Sequence, residues 1–184
     1  MTNNDEVSTN EIQQLTGRNL ITFQSIEILL QDIHLQKGGK GTEKELNNKR
    51  KKIKKMSFGD LINSKVISKL DSNIDLENEI TDIEINFSFG NHQYLNELLS
   101  KLKQYSVARN ELVHKFQLIF NLKDSKGRLD AKNLLDRQYI LLEPLKEELR
   151  EISKGLTIGR KEILDFMNSD EFFLEIKRQL TQEY

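Results

Sequence analysis

Three side chains in one short run, Arg109-Asn110-Glu111-Leu112-Val113-His114, are of the types that metal-free chemistry at a phosphodiester requires. An imidazole titrates near neutrality, so His114 is suited to moving a proton on or off a hydroxyl. A guanidinium presents a rigid fork of donors that matches the oxygens of a crowded phosphorus, so Arg109 is suited to holding its developing charge. Asn110 and His114 lie four residues apart, the spacing at which helical side chains touch.

The helix that must position them is predicted from His92 to Asn121, on Leu95, Leu98, Leu99, Leu102, Tyr105, Leu112, Val113, Phe116 and Phe120. On a wheel of 100° per residue, Arg109 points into the middle of that apolar stripe. A guanidinium there is costly unless it is paired or lies at a cleft or interface. The same wheel sets Arg109 and His114 about 140° apart, so they converge only through a local distortion or across two copies of the chain. The structural alternative is an Arg109 salt bridge to Glu27 or Glu97, with His114 on the solvent side next to a Glu111–Lys115 pair. Tyr105 reads as core. His34 and His92 fall near helix ends, where histidines cap or face water.

Composition narrows the rest. The chain has 184 residues, 31% charged and 36% hydrophobic, with a net charge of −1. That fits one domain and excludes a globally basic nucleic-acid coat. The absence of cysteine excludes disulfides, thiolate metal sites and cysteine nucleophiles. The acidic residues show no metal-site spacing with histidine, and no metal or cofactor is expected. No apolar run is long enough to span a membrane and the first residues are polar, so a soluble cytoplasmic protein without a membrane partner is expected.

With one proline and abundant Leu, Ile, Lys and Glu, the expected fold is all-α. Residues 1–10 are expected to be disordered, with a single helical domain over 11–184. A first long helix runs on Ile12, Leu15, Phe23, Ile26, Leu29, Leu30 and Ile33, to a stop at the glycines of 37–41. Residues 37–55 hold nine Lys or Arg against Glu43 and Glu45, a local excess of seven positive charges. They are expected to form a basic flexible loop, either simply solvated or drawing in phosphate backbones through Lys49, Arg50, Lys51, Lys52, Lys54 and Lys55, with Lys115 adding to it. Ser57, with Asp60 three residues on, reads as the cap of a short helix. The alternation in 83–89 reads as a short strand or extended connection. A third helix carries Leu134, Leu135, Ile140, Leu141, Leu145, Leu149 and Ile152, kinked at Pro144 and closed by Gly155 and Gly159. A last one carries Ile163, Phe166, Phe172, Phe173, Ile176 and Leu180.

Arg-Asn-x-x-x-His late in a long helix of a small four- to five-helix bundle resembles the HEPN domain family, whose signature is an Arg, a polar residue and a His after four to six intervening residues. The first helix, with Gly17-Arg18-Asn19-Leu20, and the run Met56-Ser57-Phe58-Gly59-Asp60-Leu61-Ile62 are similar to prokaryotic HEPN proteins. The resemblance implies a metal-independent endoribonuclease acting as a homodimer, with Arg109, Asn110 and His114 catalytic at a site shared by two protomers. It also implies an RNA substrate, a role as toxin or antiphage effector, and an antitoxin or sensor protein as partner. Some HEPN toxins carry a modifiable tyrosine two places after the histidine; here that position is Phe116, so silencing by that route is not expected. The alternative reading is a non-catalytic HEPN module that binds RNA, a nucleotide or a partner protein.

Overall fold

The computed structural model describes residues 7–36, 43–63 and 92–182. They form seven helices and, among the described residues, no strand: α1 (Thr9–Gln36), α2 (Glu43–Ile53), α3 (Phe58–Asn63), α4 (His92–His114), α5 (Phe116–Ile119), α6 (Ser125–Met167) and α7 (Asp170–Gln182). The fold is all-α. Segment 83–89, read above as extended, lies outside the described residues, as do Val66, Ile67 and Leu70.

α1 and α6 are the frame. Ile12, Phe23, Ile26 and Leu30 bury one stripe of α1, and Ala131, Leu135, Leu142, Leu145 and Leu149 bury one stripe of α6. Each fully buried side chain of this kind stabilises the fold by roughly 1.5–3 kcal/mol. Polar contacts fix the register along the whole length. Glu11 pairs with Lys132, Arg18 with Asp136 at 3.1 Å, Asn19 donates to the Leu135 carbonyl at 2.8 Å, and Gln36 donates to Ser153 at 3.2 Å. In each case the partner is 116 to 121 positions further along the chain. A constant offset means two parallel helices in contact over about 38 Å.

Helix α4 runs the other way. Lys101 pairs with Glu148 at 3.5 Å, and the Tyr105 hydroxyl donates to the Leu141 carbonyl at 3.3 Å, so numbers rise on α4 as they fall on α6. Tyr105 is half-buried and packs against the core. Three turns earlier on α4, burial and then the carboxylate of Glu148 push the Tyr94 phenol up to about 12, which keeps it neutral in this contact.

Local rules account for most ends. The Ser8 hydroxyl accepts from the amide of Glu11 to open α1. Ser57 and Asp60 form the reciprocal capping box of α3: each backbone amide donates to the other side chain at 3.2 Å. The hydroxyl bond and then the amide bond of Ser57 hold the Asp60 carboxyl below its ordinary range. Asp124 caps α6 by accepting from the amide of Gly127. A Cβ at position 127 would sit 2.0 Å from the Asn121 carbonyl oxygen, so only glycine fits this entry.

Four expectations need correction. The stretch 37–55 is not all loop: residues 43–53 are helical, because Lys, Arg and Glu are good helix formers and Ile53 is buried at the end of the run. The helix expected to reach Asn121 stops at His114. Lys115 leaves helical geometry with φ −122° and ψ −10°, and the apolar spacing continues through both pieces, so spacing alone hides the break. Helix α6, which contains Pro144, is not closed by Gly155 and Gly159 but continues through them to Met167. Each glycine costs only about 1 kcal/mol, which the packing of Leu149 and Leu156 overrides. His34 does not face water; it is 1% exposed and its Nδ1 lies 2.8 Å from the Leu30 carbonyl.

Asn19 is fully buried between the two frame helices, its amide donating to the Leu135 carbonyl and to Gln138. Asn19→Ala is expected to lower the unfolding free energy in urea by about 1–3 kcal/mol, because Gln138 and the cavity lose their partner. A change within error would mean that this bond contributes nothing net.

Candidate functional site

The candidate residues occupy the last two turns of α4, and the helix divides them between two faces. Leu98, Leu102 and Leu112 hold α4 in the core, and Arg109 projects from the same side toward α1. There its guanidinium meets Glu27, Nη2 to Oε2 at 3.5 Å, with 30% and 19% of the two side chains exposed. Of the two carboxylates named from sequence, Glu27 is the partner; Glu97 instead accepts from Gln93 at 3.0 Å on α4's own surface. The Arg109–Glu27 contact is long and single-pronged, which leaves donors of the fork available to another acceptor.

Asn110 and His114 are exposed on the open side of α4. With Val107 they stand at positions i, i+3 and i+7 of one stripe, so all three share a face. Val107 is 59% exposed. Among the described residues neither Asn110 nor His114 makes a side-chain hydrogen bond or ion pair. The amide of Lys115 donates to the Glu111 carbonyl at 2.8 Å, so the backbone is helical through His114 and breaks only after it. Within one copy, then, Arg109 and His114 remain on different faces. Of the two routes to convergence named from sequence, local distortion is not taken.

Several large apolar side chains on these helices are exposed. Ile21 and Ile28 on α1 are 65% and 63% exposed, and Val113 of α4 and Ile119 of α5 are also open. Val113, one turn beyond Arg109 on α4, is the exposed apolar side chain nearest to it along that helix face. Phe116, at the position of the tyrosine in some toxins, is buried and packs against Phe120 with ring centroids 5.2 Å apart.

The basic residues lie on a neighbouring structure. Lys49, Arg50, Lys51, Lys52, Lys54 and Lys55 are all exposed along α2 and the turn after it, and Lys115 is exposed beside His114. Helix α3 follows α2 and packs on α4: a Cβ at Gly59 would lie 3.8 Å from the Ser106 hydroxyl, one turn before Asn110. Among the described residues, no group of three His, Asp or Glu side chains is arranged to hold a metal ion. None of their helices is long and apolar enough to cross a membrane.

A second polar cluster was not foreseen. The Arg18 guanidinium lies 4.0 Å over the Tyr139 ring, pairs with Asp136 and donates to the Asn19 side chain and the Leu135 carbonyl. The signal was present: Asn19 stands four residues before Phe23 and seven after Ile12, on the core face of α1, where an amide must find partners. No family model, no curated protein and no solved structure matches this chain.

The half-exposed Arg109–Glu27 pair is expected to contribute little to stability. Glu27→Gln should change the unfolding free energy by less than about 1 kcal/mol, measured by urea denaturation. A loss of several kcal/mol would instead mark Arg109 as a structural cation that Glu27 must neutralise.

Proposed function

We propose that this chain is a HEPN-type endoribonuclease, working as a homodimer in which Arg109 of one copy and His114 of the partner subunit surround one scissile phosphate. One observation carries the reading. Asn110 and His114 stand open on a face shared with an exposed Val107, while the neighbouring Arg109 is half-buried and bound by only one prong. A solvated histidine and a guanidinium with spare donors, with the exposed Val113 one turn from Arg109, suit a site that a second copy completes. The Arg-Asn-x-x-x-His spacing supplies the family to which the reading belongs.

The chemistry follows from the groups. The imidazole of His114 takes the proton of the ribose 2′-hydroxyl as that oxygen attacks the adjacent phosphorus. The bond from phosphorus to the 5′-oxygen breaks, and the departing oxygen takes up a proton. The products are a 2′,3′-cyclic phosphate and a 5′-hydroxyl end. Arg109 stabilises the extra charge on the non-bridging oxygens, and Asn110 orients the imidazole one turn away. A role as toxin or antiphage effector, held in check by an antitoxin or sensor protein, accompanies this reading.

The Arg109–Glu27 pair favours a second reading, in which Arg109 only joins α4 to α1 and the bundle binds RNA, a nucleotide or a protein without cutting. The two are separated by cleavage itself. Purified protein is expected to cut RNA in the presence of EDTA and leave 2′,3′-cyclic phosphate ends. Arg109→Ala and His114→Ala should each lower the rate by about a hundredfold or more with unchanged helical circular dichroism. Intact RNA across a panel of single-stranded and structured substrates, from a well-folded dimer, would overturn the nuclease reading in favour of the binding module.

A further inference from the structure

The basic residues Lys49 to Lys55 lie on α2 and on the turn that joins it to α3. The ladder of α2 runs on into a tight turn: Lys54 donates to the Arg50 carbonyl, Lys55 to Lys52 and Met56 to Ile53, at 3.0 to 3.1 Å. Ile53 is buried and Met56 packs on the core, so both sides of this turn are anchored. Ser57 then opens α3 through its capping box with Asp60. Phe58, Leu61 and Ile62 of α3 are buried.

Chain geometry converts this into a distance. Gly59 touches the Ser106 side of α4. Lys55 is four residues earlier, at most about 14 Å of extended chain. Asn110 is four residues beyond Ser106 on α4, about 6 Å along the axis. The Lys54–Lys55 turn is therefore held within a few nucleotides' reach of Asn110. Arg50 donates to Asn47 at 3.3 Å, and none of Arg50, Lys51, Lys52, Lys54 or Lys55 is in an ion pair among the described residues. Cations left unneutralised on a rigid element suit an extended polyanion.

We propose that α2 and its turn form a fixed phosphate track that delivers single-stranded RNA to the open face of α4. The proposal rests on the nuclease reading for its destination and on the placement of α2 and α3 for its path. A single strand is the form that fits, because a 2′-hydroxyl can line up opposite the leaving 5′-oxygen only when the backbone departs from the A-form helix. An anionic membrane fits less well. Apart from the buried Ile53 and a single leucine, Glu43–Ile53 is polar throughout, whereas membrane-surface helices carry a broad apolar face.

The test measures binding, so that it is read whether or not RNA is cut. Fluorescein-labelled oligouridylate of twelve nucleotides is titrated with the full chain carrying His114→Ala, in EDTA, over a range of salt. The same is done after adding Lys51→Glu, Lys54→Glu and Lys55→Glu. A control carries Lys154→Glu, Arg160→Glu and Lys161→Glu on the distant part of α6, with the same change in net charge. The track variant is expected to bind at least tenfold more weakly at low salt. Its slope of log affinity against log salt should be shallower by about 2, near 0.7 per lost phosphate contact, while the control keeps the slope of the parent. Equal slopes in the two triple variants would overturn the track. So would a twelve-base-pair duplex bound as tightly as the single strand, or binding to phosphatidylserine vesicles without binding to the oligonucleotide. Where the parent enzyme cuts, the track variant should raise KM and leave kcat unchanged. A fall in kcat alone would overturn the track and leave the nuclease reading standing, whereas salt-dependent binding without cutting would do the reverse.

Discussion

The parallel pairing of α1 with α6 is the constraint on which everything else rests. Two helices 28 and 43 residues long can slide along one another if only leucines and isoleucines hold them. The buried Asn19 amide prevents this, because its bond to the Leu135 carbonyl is satisfied in a single register and a slip would bury it unpaired. Arg18, stacked on Tyr139 and paired with Asp136, adds a second catch at the same level. Asp32, Gln36, Ser153 and Thr157 form a third at the far end. Among the described residues no buried side-chain polar atom lacks a partner. The frame thus contains polar groups along its length without leaving any of them stranded.

What that frame positions is the end of α4. Antiparallel to α6 and crossing α1, α4 turns Arg109 inward to Glu27 and His114 outward to water. The division follows from helix geometry: five residues are about 140° short of a shared face, and the backbone stays helical until Lys115. A guanidinium facing inward and an imidazole facing outward are unusable together in one copy. Under the proposed reading, a twofold axis would bring the outward face of one copy to the inward corner of the other and make the two groups complementary. The same geometry places α3 against Ser106 and therefore ties the basic helix α2 to this end of the molecule.

Much of this was legible in the sequence. The stripes of Phe23, Ile26 and Leu30 or of Leu135, Leu142 and Leu149 announce buried helix faces, and Ser57 with Asp60 announces a cap. The inward direction of Arg109 and its pairing with Glu27 or Glu97 could be stated from a wheel. What could not be read was the outcome of competition between local and tertiary terms. Gly155 and Gly159 look like breakers, yet Leu149 and Leu156 carry α6 past them. The lysines of 37–55 look like a solvated loop, yet 43–53 form a helix docked through one buried isoleucine. The break after His114 leaves no trace in the apolar period, because Leu112 and Phe116 are both buried on either side of it. The pairing proposed for catalysis depends on a partner copy, and no pattern within one chain encodes where that partner sits.

The central claim, that one site draws its arginine and its histidine from different copies, is tested most directly by mixing two inactive variants. Arg109→Ala and His114→Ala are each inactive as homodimers under this claim, but a dimer containing one of each retains one intact site. After subunit exchange at equal concentrations, ribonuclease activity should return to about one quarter of wild type, since half of the dimers are mixed and each mixed dimer has one site of two. If mixed dimers form and no activity returns while the wild-type protein cleaves RNA, both groups act within one copy and the shared-site claim is contradicted.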